Sequence, residues 1–303
     1  MISRIADILS LAKKMPGRRM VLVNGVDSHS LEAAAAASEM GLVDVTVTGS
    51  PPDIEKACRE SAIHPSRFQI IPAAGEEQAA QMAMEMAASG EAGFLMKGLI
   101  STDKYMRALL NRKFGLLLPG GILNHVAVVE NKNYHKLLIV SDVAVIPYPD
   151  ISRKAAIVDA LVRTAKALGI QTPKVALIAP TEQVLQVLPA TTDAALLVKM
   201  AEAGQIPGGI VDGPMPLDVA VDRESATIKK ISSGVAGDAD CLLFPNIDTG
   251  NVFYKMNTKL CNSRLAAVVV GAKIPVVLSS RGDSAETKLN SIALASLLSH
   301  QRQ

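Results

Sequence analysis

Residues 19–49 read RMVLVNGVDSHSLEAAAAASEMGLVDVTVTG, and this stretch decides the fold class. RMVLVN (19–24) is an apolar, β-branched run that ends near Gly25. Ser30–Met40 is an Ala-rich helical stretch, and VDVTVT (43–48) is a second strand, stopped by Gly49 and two prolines. Strand, helix and strand in immediate succession make a parallel β-α-β unit, because the helix carries the chain back for the next strand. The same alternation runs along the chain. A helix is expected over 75–89 and a strand over 93–96. After Pro147 and Pro149 come a helix over 152–168 capped by Gly169, a strand over 174–178 and a helix over 193–203. Strands follow at 209–211, 240–244 and 276–280, and a helix over 286–299 closes the chain. The expected class is α/β with doubly wound parallel sheets, and any domain boundary falls near residue 148.

Composition narrows the function. Hydrophobic residues make up 49% of the 303, yet no run of about 18 uninterrupted apolar residues occurs. The longest apolar patches, 265–271 and 274–278, have the length of buried parallel strands. The first fourteen residues scatter Arg4, Asp7, Lys13 and Lys14 through an apolar helical pattern, unlike a signal peptide. A cytoplasmic protein that engages no membrane is expected. Cys58, Cys241 and Cys261 lack paired or metal-ligand spacing, so reduced, buried thiols are expected. Asp142, Asp212, Asp218 and Asp248 have no spacing that demands a metal. A net charge of +2, 3% aromatics and no Trp argue against nucleic acid, which calls for stacking rings and a concentrated basic face.

In open parallel sheets, ligands bind at the carboxyl ends of the strands, so the polar residues just beyond each strand are the candidates. The strongest set is Ser280-Arg281-Gly282-Asp283-Ser284. It lies between an apolar strand and the last helix, where backbone N–H groups, two hydroxyls and a guanidinium could converge on an anion. The bland alternative makes Ser284 the cap of that helix, with Glu286 in its first turn. In Pro245–Asn251, Asn246, Gly250 and Asn251 allow a sharp turn and close approach to a ligand; otherwise Asn251 caps a helix over 252–260. Lys97, Ser101 and Thr102, with Arg107 on the following helix, would suit phosphates or a pantetheine-linked nucleotide; otherwise Thr102 or Asp103 is a cap. Asp142 and the Asp212-Gly213 pair complete the strand-end set. His125 reads as a hydrogen-bonded core residue. Neither GxxxxGK[ST], nor GxGxxG opening the first helix, nor GxSxG occurs.

Several long segments resemble the phosphate acetyl/butyryl transferase family, most closely its phosphate butyryltransferase branch. They are LMKGLIST (95–102), HVAVVE (125–130), YHKLLIVSD (134–142), DAALLVKMAEAGQIPGGIVDGPMPLD (193–218), VAGDADCLLFPNIDTGN (235–251) and VVGAKIPVVLSSRGDS (269–284). The likeness runs from about residue 90 to the C-terminus. It implies two α/β domains like those of isocitrate and isopropylmalate dehydrogenases, with the active site in the interdomain cleft. The C-terminal helix would complete the first domain, giving 1–148 plus 282–303 against 149–281. It also implies a homodimer, acyl-CoA and phosphate as substrates, and no metal or bound cofactor, coenzyme A being a substrate. By the family pattern Ser280 orients thiol and carbonyl, Arg281 holds the phosphate, and Lys97 and Arg107 meet the phosphate side or coenzyme A.

Three positions depart from the pattern. Thr287 stands where the acetyl branch has an Asp base, leaving Glu286 and Asp283 as nearby carboxylates. Ile146 and Val219 stand where Asn is usual. These departures motivate one alternative, a catalytically weakened homologue that binds coenzyme A or acyl phosphate; a phosphate acetyltransferase is a second. A metal-dependent, NAD(P)-linked decarboxylating dehydrogenase is another, though no Arg-rich helix accompanies its aspartates.

Overall fold

The computed structural model describes residues 2–118, 121–279 and 282–300. The chain opens with α1 (Ile5–Ala12), β1 (Arg18–Val23), α2 (Ser28–Glu39), β2 (Val43–Gly49), α3 (Pro51–Glu60), β3 (Gln69–Pro72) and α4 (Glu76–Ser89). Next come β4 (Phe94–Lys97), α5 (Thr102–Leu109), β5 (Asn124–Glu130), β6 (Leu138–Ser141), α6 (Ile151–Ala167), β7 (Lys174–Ile178) and α7 (Pro189–Glu202). It ends with β8 (Ile210–Met215), α8 (Leu217–Val221), α9 (Arg223–Ile228), β9 (Cys241–Leu243), α10 (Ile247–Lys259), β10 (Arg264–Val270), β11 (Val276–Val277) and α11 (Ala285–Leu298). Strands alternating with helices make this a mixed α/β fold.

Two compact units divide the chain: residues 6–123 with those from 266 onward, and residues 124–265 with the first few through Ile5. In the first unit the strands run in the order β3-β2-β1-β4-β11-β10. β1 pairs in parallel with β2 and β4, and β4 with β11. Met20–Val23 are wholly buried. A strand covered on both faces shows no polar alternation, which is why RMVLVN reads as a continuous apolar run. The last helix, α11, packs on α2. Just beyond it, His300 Nε2 lies 3.0 Å from the carbonyl of Pro16.

The second unit orders its strands β5-β6-β9-β7-β8. β6, β9, β7 and β8 are parallel, whereas β5 and β6 form an antiparallel pair, as do β10 and β11 in the first unit. All-parallel sheets were the expectation. The connections over 131–137 and 271–275 are too short to hold a crossover helix, so these pairs turn back on themselves. Pro147 and Pro149 lie inside the second unit, because the β5–β6 hairpin pairs with β9 and brings residues 124–148 with it. The chain passes between units at Ile5/Ala6, Leu123/Asn124 and Leu265/Ala266.

Proline acts as an opener as well as a stop. Pro51 and Pro52, which end β2, occupy the first positions of α3, and Pro189 opens α7 four residues ahead of the expected start. At those positions a missing N–H costs nothing. Among the described residues, no helix is long and apolar enough to cross a membrane.

Candidate active site

Strand ends in each unit gather candidate residues. In the first unit, β1 and β4 end side by side. Gly98 donates its N–H to Val23 O at 2.9 Å, Leu99 to Asn24 O at 2.9 Å, and Asn24 Nδ2 bonds Leu99 O at 2.6 Å. A Cβ on Gly98 would lie 2.5 Å from Asn24 O, so only glycine fits there. Asn24 is buried with φ +52°, a conformation Asn tolerates better than most residues. Sequence reasoning passed over Asn24; the signal was an Asn-Gly pair directly after an apolar strand.

Lys97, the last residue of β4, is only 7% exposed. Its ammonium donates to the carbonyls of Ile100 (2.8 Å) and Gly98 (3.2 Å), so the KGLIS turn wraps around a buried positive charge. Ser101, rather than Thr102 or Asp103, caps α5 by accepting the Lys104 N–H. Arg107 lies on the exposed side of α5 in an ion pair with Asp103. Lys97, Ser101 and Thr102 thus share one turn, and Arg107 belongs to the solvated helix face.

β11 runs beside β4 with Val277 opposite Met96, so the chain leaves β11 next to Lys97. Ser280 and Arg281 lie outside the described residues. Beyond them, Ser284 caps α11, accepting the Thr287 N–H at 3.1 Å, while the two hydroxyls lie 3.1 Å apart. Capping was the bland alternative for Ser284, and it is what this hydroxyl does. Glu286 is exposed in the first turn of α11 and Asp283 is half-buried just ahead of it.

In the second unit the loops after β6 and β9 are bound together. Asp142 is 2% exposed and accepts three backbone N–H groups, from Ala144 (2.7 Å), Val145 (2.8 Å) and His125 (2.9 Å). Burial pushes its pKa above the ordinary carboxyl value, outweighing these donors. The role its geometry shows is to shape residues 142–146. Against that loop lies Pro245–Asn251. Asn251 Nδ2 donates to Val143 O at 3.0 Å, Ile247 N to Pro147 O at 3.0 Å, and the Tyr148 hydroxyl to Asp248 at 2.9 Å. Helix α10 starts at Ile247, five residues before the expected start, because Asn246 rather than Asn251 is its cap, accepting from Thr249 N and Oγ1.

Asp212 and Gly213 are not beyond a strand end. They lie within β8, which extends to Met215 across an irregular register with β7. Asp212 Oδ1 accepts the Gly213 N–H, and Gly213 has φ +154° with Leu177 O 2.8 Å from where a Cβ would be. His125 is buried in the core, its ring 6.3 Å from that of Tyr254. Among the described residues, no group of three or more His, Cys, Asp and Glu is gathered to hold a metal ion.

Residues 74–296 match the family described as Phosphate acetyl/butaryl transferase. Phosphate butyryltransferase of Clostridium acetobutylicum is 39% identical over 298 residues, covering 98% of this chain and 99% of the relative. Phosphate acetyltransferase of Thermotoga maritima is 37% identical, covering 93% and 95%. The crystal structure of a branched-chain phosphotransacylase from Enterococcus faecalis V583 matches with a TM-score of 0.83 at 28% identity, covering 94% of this chain and all of that one. With the matched region running from α4 into α11, through both sets of strand-end loops, this chain belongs to the phosphate acetyl/butyryl transferase family.

Proposed function

We propose that the protein transfers a short acyl group between coenzyme A and inorganic phosphate, acyl-CoA plus phosphate giving acyl phosphate plus coenzyme A. Butyryl or a similar group is the first choice and acetyl the second. The observation that carries this is identity of 37–39% along nearly the whole chain with relatives named for butyryl and acetyl transfer to phosphate. The buried ammonium of Lys97, beside the point where the chain leaves β11, is consistent with an anionic substrate.

In the reverse direction, which consumes acyl phosphate, the thiolate of coenzyme A attacks the carbonyl carbon, a C–S bond forms and the C–O bond to phosphate breaks, releasing acyl-CoA and phosphate. Negative charge grows on the carbonyl oxygen and on the departing phosphate, so donors already aimed there lower the barrier most. Following the family pattern, we assign thiol and carbonyl orientation to Ser280 and the phosphate to Arg281, with Lys97 on the phosphate side. Glu286 and Asp283 are the carboxylates closest in sequence to Thr287 for drawing off the thiol proton, a modest task for a thiol of pKa about 8.5. The same resemblance favours an isocitrate/isopropylmalate dehydrogenase-like arrangement with substrates in a cleft, a homodimer and a cytoplasmic location.

The test is phosphate-dependent release of free coenzyme A from acyl-CoAs of two to six carbons, followed with a thiol reagent. Release should peak at one chain length and fall by about two to three powers of ten in Arg281→Ala. Absence of release with every acyl-CoA, while coenzyme A still binds, would leave a binding protein in place of an enzyme.

A further inference from the structure

Among the described residues of the first unit, Lys97 and Lys288 are the only buried charged side chains, and both are cations. Lys97 is held by the carbonyls of its own turn. Lys288 lies early in α11 and is 4% exposed. Its ammonium reaches the start of α2, where it meets Ser30 Oγ at 3.5 Å and Asp27 Oδ1 at 4.0 Å. The first distance is at the limit of a hydrogen bond and the second is beyond it. Asp27 already serves as the α2 cap, accepting the Ser30 N–H at 2.9 Å, and its side chain is 23% exposed.

A buried ammonium is costly, and a methionine of similar length would pack α11 on α2 without that cost. What the charge adds is a field. β1, β4 and β11 run parallel and side by side, so their carboxyl ends form one edge. α2, α5 and α11 each begin beyond that edge, with N-termini that carry partial positive charge. Lys97 and Lys288 place two full charges there, and no buried carboxylate among the unit's described residues opposes them. Salt screens such interior charges weakly, so the edge attracts anions.

Both substrates of the transfer carry phosphate, but coenzyme A carries it far from the reacting thiol. Inorganic phosphate brings its charge to the reacting atoms themselves. The segment 278–284, to which Ser280 and Arg281 belong, starts beside Lys97 and ends one helical turn before Lys288. We infer that Lys288 is a positioning residue for inorganic phosphate, its fixed charge drawing the anion to this edge. This rests on the acyltransferase assignment above.

The experiment measures KM for phosphate and for the preferred acyl-CoA in wild type, Lys288→Met and Asp27→Asn, with urea unfolding of each. Asn caps a helix about as well as Asp, so Asp27→Asn removes the charge and keeps the cap. Lys288→Met should raise KM for phosphate by about tenfold and Asp27→Asn should lower it, with KM for acyl-CoA held within about twofold. Opposite signs mark an effect of charge, whereas an ion pair that only braces α2 against α11 would give the same sign in both variants. Lys288→Met should unfold at the urea concentration of wild type or above it. If it does not fold, the direction taken by Asp27→Asn decides. An unchanged phosphate KM in folded Lys288→Met, a rise in Asp27→Asn, or equal rises for both substrates would overturn the inference while wild-type turnover still upholds the acyltransferase. Wild type without turnover on any acyl-CoA would overturn both.

Discussion

The carbonyl oxygen of Asp142 lies so close to Gly250 that no Cβ fits between them. One backbone atom of the loop after β6 therefore sets how near the first turn of α10 can come. The Asn251–Val143 and Ile247–Pro147 hydrogen bonds hold that spacing. Gly250→Ala should push the two loops apart, destabilising the protein by about 1–3 kcal/mol. Urea unfolding gives the stability change. A fall in kcat/KM under conditions where the variant remains folded would show that the paired loops contribute to turnover.

Asp142 makes the same loop sensitive to pH. A carboxyl whose folded pKa is raised binds its proton more tightly when folded. Its contribution to stability is fullest below its ordinary value near 3.8 and declines as pH rises through the window up to its raised value. Asn at this position does not titrate, and its amide group would face an N–H donor, costing about 1–3 kcal/mol. Unfolding of wild type and Asp142→Asn between pH 4 and 7 should show wild type losing part of its lead as pH rises. A lead that grows with pH would show that the backbone donors, and not burial, dominate this carboxyl.

Thr287 gives a direct test of the proton acceptor. Its backbone N–H and its hydroxyl both meet Ser284, in the first turn of α11, where a negative charge is favoured. Thr287→Asp should raise kcat by about tenfold or more below pH 8, within the range for general-base catalysis. If Glu286 already serves, Glu286→Gln should lower the rate while Thr287→Asp adds nothing. The pH–rate profiles of the two variants separate these outcomes.

Much of this architecture was legible because burial on both faces leaves a mark. The runs 19–24 and 93–96 read as strands since nothing polar interrupts their apolar middles, Met20–Val23 and Phe94–Met96. The Ser284 cap was legible as well, since the serine stands just ahead of a helical stretch. Asn246 and Asn251 were harder, as both suit a cap and only tertiary contact with Val143 decides between them. The β5–β6 hairpin was missed because VAVV and LLIV have the same apolar character in parallel and antiparallel pairs. Lys288 and Ser30 lie 258 positions apart with no local pattern, so only the folded chain brings them together.

Tyr105 is an unexplained polar atom in the core of the first unit. It is fully buried on α5, and its hydroxyl has no hydrogen-bond partner among the described residues. Burial pushes its pKa far up, so the phenol stays neutral. Stripping a hydroxyl of water without a replacement bond costs about 1–3 kcal/mol, so Tyr105→Phe should hold or gain up to that much stability. A variant less stable than wild type in urea would reveal an ordered water on the hydroxyl.

Asp238 anchors the opposite end of the second unit's strands. Its carboxylate meets Lys174 at 2.6 Å, His135 at 2.9 Å and Lys136 at 3.0 Å, while Lys136 also reaches Asp240 at 2.7 Å. These contacts tie the β5–β6 turn to the starts of β7 and β9. Partial burial alone would raise the Asp238 pKa, but the hydrogen bonds from Lys174, His135 and Lys136 prevail and hold it well below the ordinary carboxylate range. A depressed folded pKa contributes stability above the unfolded value near 3.8, and that stability is lost as pH falls toward the folded value. Asp238→Asn should therefore cost about 1–3 kcal/mol at pH 7, in line with charge-assisted hydrogen bonds. The gap between wild type and variant should close as pH drops below about 4. Urea midpoints at pH 7, 5 and 3 measure it. A gap that stays constant across that range would mean that lost packing, and not charge, accounts for the difference.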